Sequence, residues 1–594
     1  MPNPDKLLVR ASAWSIGLAL LVELAILPWT AHAFDATAFL SHTDRIYFGH
    51  VGLTALWAYG SISLAALLLS QLPVLFFPQL WSAVPFRIFL LKLPAWCADL
   101  ASAAVIRACS RDRQFANAWA LRYLLDPAVV FATVFHGQVD ALPNFCTVFG
   151  IALVIAEKYE LAGLAFGLGA GTKFYPAAFV PLLAVAAYRR ASWQRALFAL
   201  AAFGGASALT LVPVLWGRAG SEFAAYANNS FGHDGVRVST ASLWALLPRG
   251  GPVSLAPQAE QFIGIVIPVL LALAELRHLP DRRDIARVAM LTAMSIVLLN
   301  PGAHPPFYLW IAGPLVLYAA VADDGMVSLA GFVLSCASIF TQFCQEGSDE
   351  YFLMNFGAGP NLGLLRCIAP SAIVQGVVLV SAAMVVVASY RREWFDARTA
   401  AVCRWGGQAA TLLFFAAFAA AIAAEAVSAA SSRAVPAAAF REEERLVNTF
   451  AVDPIVRQLP GGRCLLTFAA NDVIVYAGNP FAARFATASL GYTLFSPQKI
   501  IVGGRLLPVD SLPSTFENID FRTIGERSVR ITRELDVTDA LRPFRYVERF
   551  VERPCSLIAD NPLLIYRFDF AAAQAAAAKM PLLERLNVFA QGGD

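Results

Sequence analysis

Apolar runs of roughly 17–22 residues recur along the chain, separated by short polar or basic breaks, and a helix of that length crosses about 30 Å of hydrocarbon. The runs lack the alternation of a half-buried strand. In hydrocarbon only helices or closed barrels satisfy their backbone groups. The pattern therefore predicts a polytopic α-helical membrane protein. Its spans are 12–30, 86–106, 117–135, 141–156, 161–172, 176–188, 196–216, 262–277, 284–299, 306–321, 326–342, 371–389 and 407–428, about thirteen in all. Segments 161–172 and 176–188 are short, and are expected to be broken or tilted around Lys173 and Pro176. Such breaks are tolerated where backbone lines a cavity.

Basic clusters orient this scheme. They lie at Arg107–Arg113, Arg189–Arg195, Arg277–Arg287 and Arg391–Arg404, and short cytoplasmic loops carry the excess of Lys and Arg. With all four inside, the N-terminus is cytoplasmic and the C-terminus outside. The apolar run SISLAALLLSQLPVLFF within 53–80 would invert the downstream parity as a span. It is expected as a juxtamembrane helix pair in the first outer loop. The run 12–30 follows Lys6 and Arg10 and ends near Ala31 and Ala33. A cleaved signal peptide has that form, but an uncleaved first helix suits a chain embedded throughout.

The scheme divides the chain into a transmembrane domain, 1–431, and a soluble outer tail, 432–594. Outer loops are 31–85, 217–261 and 343–370. In the tail, CLLTFA, DVIVYAG, FRYVERFV and LLIYRFDF read as strands, and FDFAAAQAAAAKMPLLERLNVF as a closing helix. A small mixed α/β domain is expected.

Composition agrees with the pattern. The chain is 58% hydrophobic and 15% charged, with mean hydropathy +0.60, which excludes an ordinary soluble globular protein. The net charge of +3 says little. There is no nucleotide-phosphate loop, zinc spacing or internal repeat, and nothing points to nucleic acid. Cys344 and Cys367 flank one outer loop, and Cys464 and Cys555 lie in the tail. Each pair would be free to form a disulfide in an oxidising compartment or to stay as buried thiols.

Ionisable residues gather at outer helix ends. Asp35 follows the first span and Asp44 comes nine residues later. Either suits a general base beside a low-dielectric cleft, or is a solvated loop acid. Asp99 lies inside a span with Lys92 two turns earlier, as a site residue or an interhelical contact. The spacing of His136, Gln138 and Asp140 suggests an extended or turn segment that would hold sugar hydroxyls or a divalent ion; ordinary loop polarity also explains it. Lys173 follows GLGAG and precedes FYP, and an ammonium at such a helix end suits a phosphate headgroup or snorkels to the interface. His233 and Arg237 stand four apart in one outer loop, and Arg is the natural bidentate partner of phosphate. His304, Tyr308 and Trp310 lie in a proline-rich corner, NPGAHPPFYLW, at a depth where aromatic residues are common.

In order along the chain stand FDATAF, KLPAWCADL, LLDPAVVFATVFHGQVDAL, GLGAGTKFYPAAFVP, GHDGVRVSTASLW and NPGAHPPFYLW. Together, over residues 1 to about 330, they resemble the GT-C superfamily of multi-spanning glycosyltransferases. The nearest branch is the bacterial polyprenyl-phosphate-mannose-dependent mannosyltransferases. The resemblance implies a protein of the bacterial inner membrane with its tail in the periplasm. It implies Asp35 as the catalytic carboxylate, with Asp44 as its substitute. Asp99 matches the family's second-span aspartate, and Gln138 and Asp140 its GQ-x-D segment, with His136 beside them. Lys173 and Tyr175 match its K-x-Y-P-like segment, and Arg237 with His233 the basic loop meeting the donor phosphate. Tyr308 and Trp310 match its aromatic corner. Where relatives often carry YPP or KPP in the first outer loop, this chain reads YGSISL, Tyr59–Leu64, without prolines.

The reaction implied is transfer of one hexose, mannose foremost, from a polyprenyl-phosphate sugar to a lipid- or glycan-linked acceptor at the outer face of the bilayer. No metal is required, although a divalent cation is an alternative guest of the polar rim. Two other classes use similar parts. A lipid-linked glycan ligase or polymerase would need a groove for a long donor glycan. A secondary transporter, suggested by helices broken near Pro176, would place its contacts at midplane.

Overall fold

The computed structural model describes residues 4–31, 39, 43, 60–77, 84–215, 242–243, 257–300, 304–345, 371–391, 394 and 397–431, together with eight strands of the tail. Every one of the predicted spans coincides with helix. In chain order the helices are α1 Pro4–Ile26, α2 Ser61–Phe76, α3 Val84–Cys109, α4 Ala116–Leu124, α5 Ala141–Ile155, α6 Tyr159–Ala170, α7 Val180–Arg190 and α8 Trp193–Leu215. They continue with α9 Pro257–Glu275, α10 Arg282–Leu298, α11 Tyr308–Ala322, α12 Gly325–Gln345, α13 Ser371–Tyr390 and α14 Ala397–Ser431. The run within 53–80 is helical as α2.

Among the described residues, Phe86–Cys109 is long and apolar enough to cross a membrane as one helix. The segment expected as 117–135 is a bent pair, Ala116–Leu124 and Pro127–His136, with 41° between its halves. The sequence carries the cause. Asp126 accepts from the Ala128 N–H at 2.9 Å and Pro127 stands next to it, a helix start in the middle of an apolar run. After one helical turn the chain runs as π-helix over Val130–His136 and ends at Gly137 with φ 84°. Glycine alone adopts that left-handed conformation without penalty.

The surface supports the membrane assignment. Leu21, Leu197, Phe198, Leu209, Leu270, Leu273 and Leu413 are each more than half exposed. Large apolar side chains exposed on several of the helices suit a surface that lipid tails cover without cost. The protein is a helical membrane protein. Its interior is a continuous apolar cluster from α3 to α13, around the buried rings of Trp119, Tyr123, Tyr308 and Tyr318.

A stripe of glycines seats α6 on α8. A β-carbon at Gly167 would lie 2.6 Å from the Phe203 carbonyl oxygen and 2.7 Å from Ala206 Cβ. Gly163 and Gly171, four residues to either side, meet Ala199 and Thr210 equally closely. Small residues at this spacing let backbones touch. Because the obstacle is backbone, Gly167→Ala is expected to cost about 1–3 kcal/mol, read as a lower midpoint of thermal unfolding in detergent.

In the tail, β1 Thr449–Val452, β2 Pro454–Leu459, β3 Arg463–Phe468, β6 Arg530–Val537, β7 Phe544–Pro554 and β8 Leu564–Phe568 form one antiparallel sheet, in the order β1-β8-β7-β3-β2 with β6 also on β7. Strands β4 Lys499–Val502 and β5 Arg505–Pro508 pair separately. Three of the four predicted strands coincide with β3, β7 and β8. The fourth, DVIVYAG, and the closing helix lie outside the described residues. So do the side chains of Cys344 and Cys464, and the whole of Cys367 and Cys555.

Candidate active site

The two polar islands flanking α5 and α6 meet. Asp140 opens α5 but makes no capping bond of its own, so its carboxylate turns sideways. Lys173 Nζ donates to Asp140 Oδ1 at 2.8 Å and to Oδ2 at 2.9 Å, and Trp310 Nε1 donates to Oδ1 at 2.7 Å. Asp140 is fully buried, while the Lys173 side chain is 11% exposed. The carboxylate is thus closed off behind an ammonium that reaches the surface. A buried ion pair needs such added hydrogen bonds to offset its desolvation.

Aromatic rings hold this pair. Tyr175 stacks on Trp310 with centroids 4.0 Å apart, and Phe307 stacks on Trp310 at 4.2 Å. Lys173 Nζ lies 4.9 Å from the Phe307 ring centroid and 5.5 Å from that of Trp310, within reach of a cation–π attraction. Trp310 therefore has rings on both faces and its N–H on Asp140, as a support of the site. Tyr308 is fully buried and His304 is exposed at the same corner.

His136 Nε2 and Gln138 Nε2 are 3.2 Å apart, and the His136 ring packs edge-on against Phe131. Both are buried; His136 is the last residue of the π-helix, and Gln138 lies in the turn between it and α5. Asp99 accepts from the Tyr123 hydroxyl at 2.6 Å, and Tyr123 accepts from Asn144 Nδ2 at 2.8 Å. This chain of bonds ties α3, α4 and α5 together one turn below Asp140. Asp99 does not pair with Lys92, whose bonds run to the Thr30 hydroxyl and to backbone carbonyls instead. Gly313, one turn after Trp310, lets α11 approach this chain: a β-carbon there would sit 2.5 Å from Asn144 Oδ1.

The segment without prolines also joins the site. Gly60 N donates to Thr172 O at 2.9 Å and Ser61 Oγ to Thr210 O at 2.6 Å. The start of α2 is thereby fastened beside Lys173. Sequence reasoning missed Gly60, Asn144 and Gly313, which act through close approach that residue type does not announce. It also missed Glu23, a buried acid in α1 that accepts from Trp96 Nε1 at 2.8 Å; an acid within an apolar run was the available signal. Asp35, Asp44, His233 and Arg237 lie outside the described residues. Among the described residues, no three His, Cys, Asp or Glu side chains converge as metal ligands.

Residues 65–301 match the family model described as Glycosyltransferase family 87 (GT87). The match agrees with the resemblance to glycosyltransferases, and its range includes Asp99, His136, Gln138, Asp140, Lys173 and Tyr175 but not Gly60 or the aromatic corner. Among solved structures, the chain is similar to the crystal structure of ArnT from Cupriavidus metallidurans bound to undecaprenyl phosphate. The two are 14% identical, the likeness covers 80% of this chain and 86% of that one, and the TM-score is 0.43. No curated protein sequence matches.

Proposed function

We propose that this membrane glycosyltransferase transfers a single hexose, mannose, from a polyprenyl-phosphate sugar to a lipid- or glycan-linked acceptor on the periplasmic face of a bacterial inner membrane. About thirteen helices would span, with the N-terminus cytoplasmic and residues 432–594 forming a periplasmic α/β domain. The observation that carries the reading is the meeting of Lys173, Asp140 and Trp310 beside the turn that bears His136 and Gln138. A cation fixed by a buried carboxylate and reaching the surface suits a lipid phosphate, and no reorganisation is needed when the donor arrives.

Asp35 is the general base in this scheme, with Asp44 as the substitute. The Thr30 hydroxyl donates to the Val134 carbonyl at 3.0 Å, so the exit of α1 abuts the helix end that leads to His136. Five residues of chain keep Asp35 within about 17 Å of that point. Asp35 takes the proton of the acceptor hydroxyl as its oxygen attacks the anomeric carbon. The bond from that carbon to the phosphate oxygen breaks, its electron pair leaves with the polyprenyl phosphate, and the configuration inverts. Lys173 and Arg237, with His233, meet the phosphate charge, while His136, Gln138 and Asp99 shape the sugar side.

The test offers purified protein a panel of polyprenyl-phosphate sugars with membrane acceptors. Mannose transfer is expected, reduced about 10²–10⁴-fold by Asp35→Asn. Undiminished transfer by that variant removes Asp35 as base. Absence of transfer from every lipid-phosphate sugar sinks the donor assignment.

A further inference from the structure

Lys92 is fully buried in α3, and among the described residues no carboxylate is its partner. Its Nζ donates to the Thr30 carbonyl, to Thr30 Oγ1 at 3.0 Å and to the Val134 carbonyl at 2.7 Å, with the Phe135 carbonyl 3.4 Å away. These oxygens belong to two helix ends. Thr30 follows the 3₁₀ turn Leu27–Trp29 that closes α1, and Val134 and Phe135 lie in the last turn of the π-helix. Carbonyls at helix ends lack partners along their own helix and carry the negative end of its dipole. An ammonium has three donors and no acceptor, which suits it to both ends at once.

The stem of the same side chain has a second contact. A β-carbon at Gly137 would lie 3.0 Å from Lys92 Cε and 3.4 Å from Cγ. The turn that carries His136, Gln138 and Asp140 therefore rests on the lysine methylenes. A charge within a membrane span is costly unless its surroundings answer it, and an apolar side chain would fill the volume alone. What the ammonium adds is a fixed junction between two chain segments. One runs on to Asp35, the other to the His136–Asp140 rim.

We propose that Lys92 is a positioning residue: its ammonium caps the ends of α1 and of the π-helix together and so sets the spacing between the loop bearing Asp35 and the rim of the site. This rests on the reading above, in which that loop and that rim serve one reaction.

The experiment compares Lys92→Met, Lys92→Arg and Thr30→Val with the unchanged full-length protein in detergent. Leu91→Ala is the control, since it removes buried volume next door without removing a cap. Hydrogen exchange is followed over 27–31 and 130–138. In Lys92→Met, exchange in both segments is expected to rise together, by about tenfold or more, while α6 and α8 stay as they were. Thr30→Val raises both by less. The transfer rate constant kcat is expected to fall at least about tenfold with the donor KM within about twofold, and Lys92→Arg is expected to restore part of it. Unchanged exchange in both segments overturns the proposal, as does a rise no larger than that of Leu91→Ala. If Lys92→Met does not accumulate, Thr30→Val decides by the same exchange criterion. Should the unchanged protein transfer no lipid-phosphate sugar, the donor assignment fails, and the exchange data still decide whether Lys92 joins the two ends.

Discussion

Asp140→Ala is expected to abolish the proposed transfer and to lower stability by about 3–5 kcal/mol. The loss does not come from cavity volume. Two donors, Lys173 Nζ and Trp310 Nε1, bond to a carboxylate with no exposed surface. Removing it takes from an ammonium and an indole N–H the buried acceptor they share, and losing a buried charge partner is what makes breaking such pairs severe. Asp140→Asn is expected to be milder, because the amide oxygen still accepts from Trp310. The double variant Asp140→Asn with Lys173→Met should regain most of the stability and none of the transfer. That divergence, read from thermal unfolding and a donor-transfer assay on the same preparations, separates the pair's structural role from its proposed role toward phosphate. Full activity in Lys173→Met would remove Lys173 from the phosphate site.

Arg122→Met is expected to cost a similar amount, about 3–5 kcal/mol, but without touching the site directly. Arg122 and Asp126 are both fully buried and 2.5 Å apart, and Arg122 Nη2 reaches the Ser328 carbonyl at 3.3 Å. Asp126 also caps the turn that restarts the helix at Pro127. Without the guanidinium its charge stays buried beside α12, and the bend loses the group that holds it there. Asp126→Asn keeps the cap while discarding the charge, so Arg122→Met combined with Asp126→Asn should recover a large share of the loss. Additive penalties in this double-mutant cycle would show that the two side chains do not act as a pair.

Much of this arrangement was legible in the chain. The apolar runs all became helices, because a run of that length has few other ways to satisfy its backbone in hydrocarbon. Lys173 and Asp140 were each recognisable as polar residues at helix ends. Their pairing was not, since it joins positions 33 residues apart through the packing of α5 on α6. The bond from Trp310 spans 170 residues and depends on how closely α11 approaches, which Gly313 permits by lacking a side chain. The break at Asp126–Pro127 was written in residue type, but the apolar run around it masked the signal. Asp99 and Lys92 look alike in sequence, as charges two turns apart on one helix. The structure separates them: one bonds to a tyrosine and through it to α5, the other to two backbone ends.

The glycine stripe on α6 has a mechanical consequence. Where backbone rests on backbone there are no side chains to rotate, so α6 and α8 can slide or tilt against each other only by parting. Any widening that admits a long isoprenoid chain must then arise at interfaces cushioned by flexible side chains. The seam between α12 and α13 is one of these, with Met326, Met384 and Val380 around an apolar cleft. The lysine end of α6 stays on the unyielding side, and the donor lipid is expected to fit itself to a fixed cation.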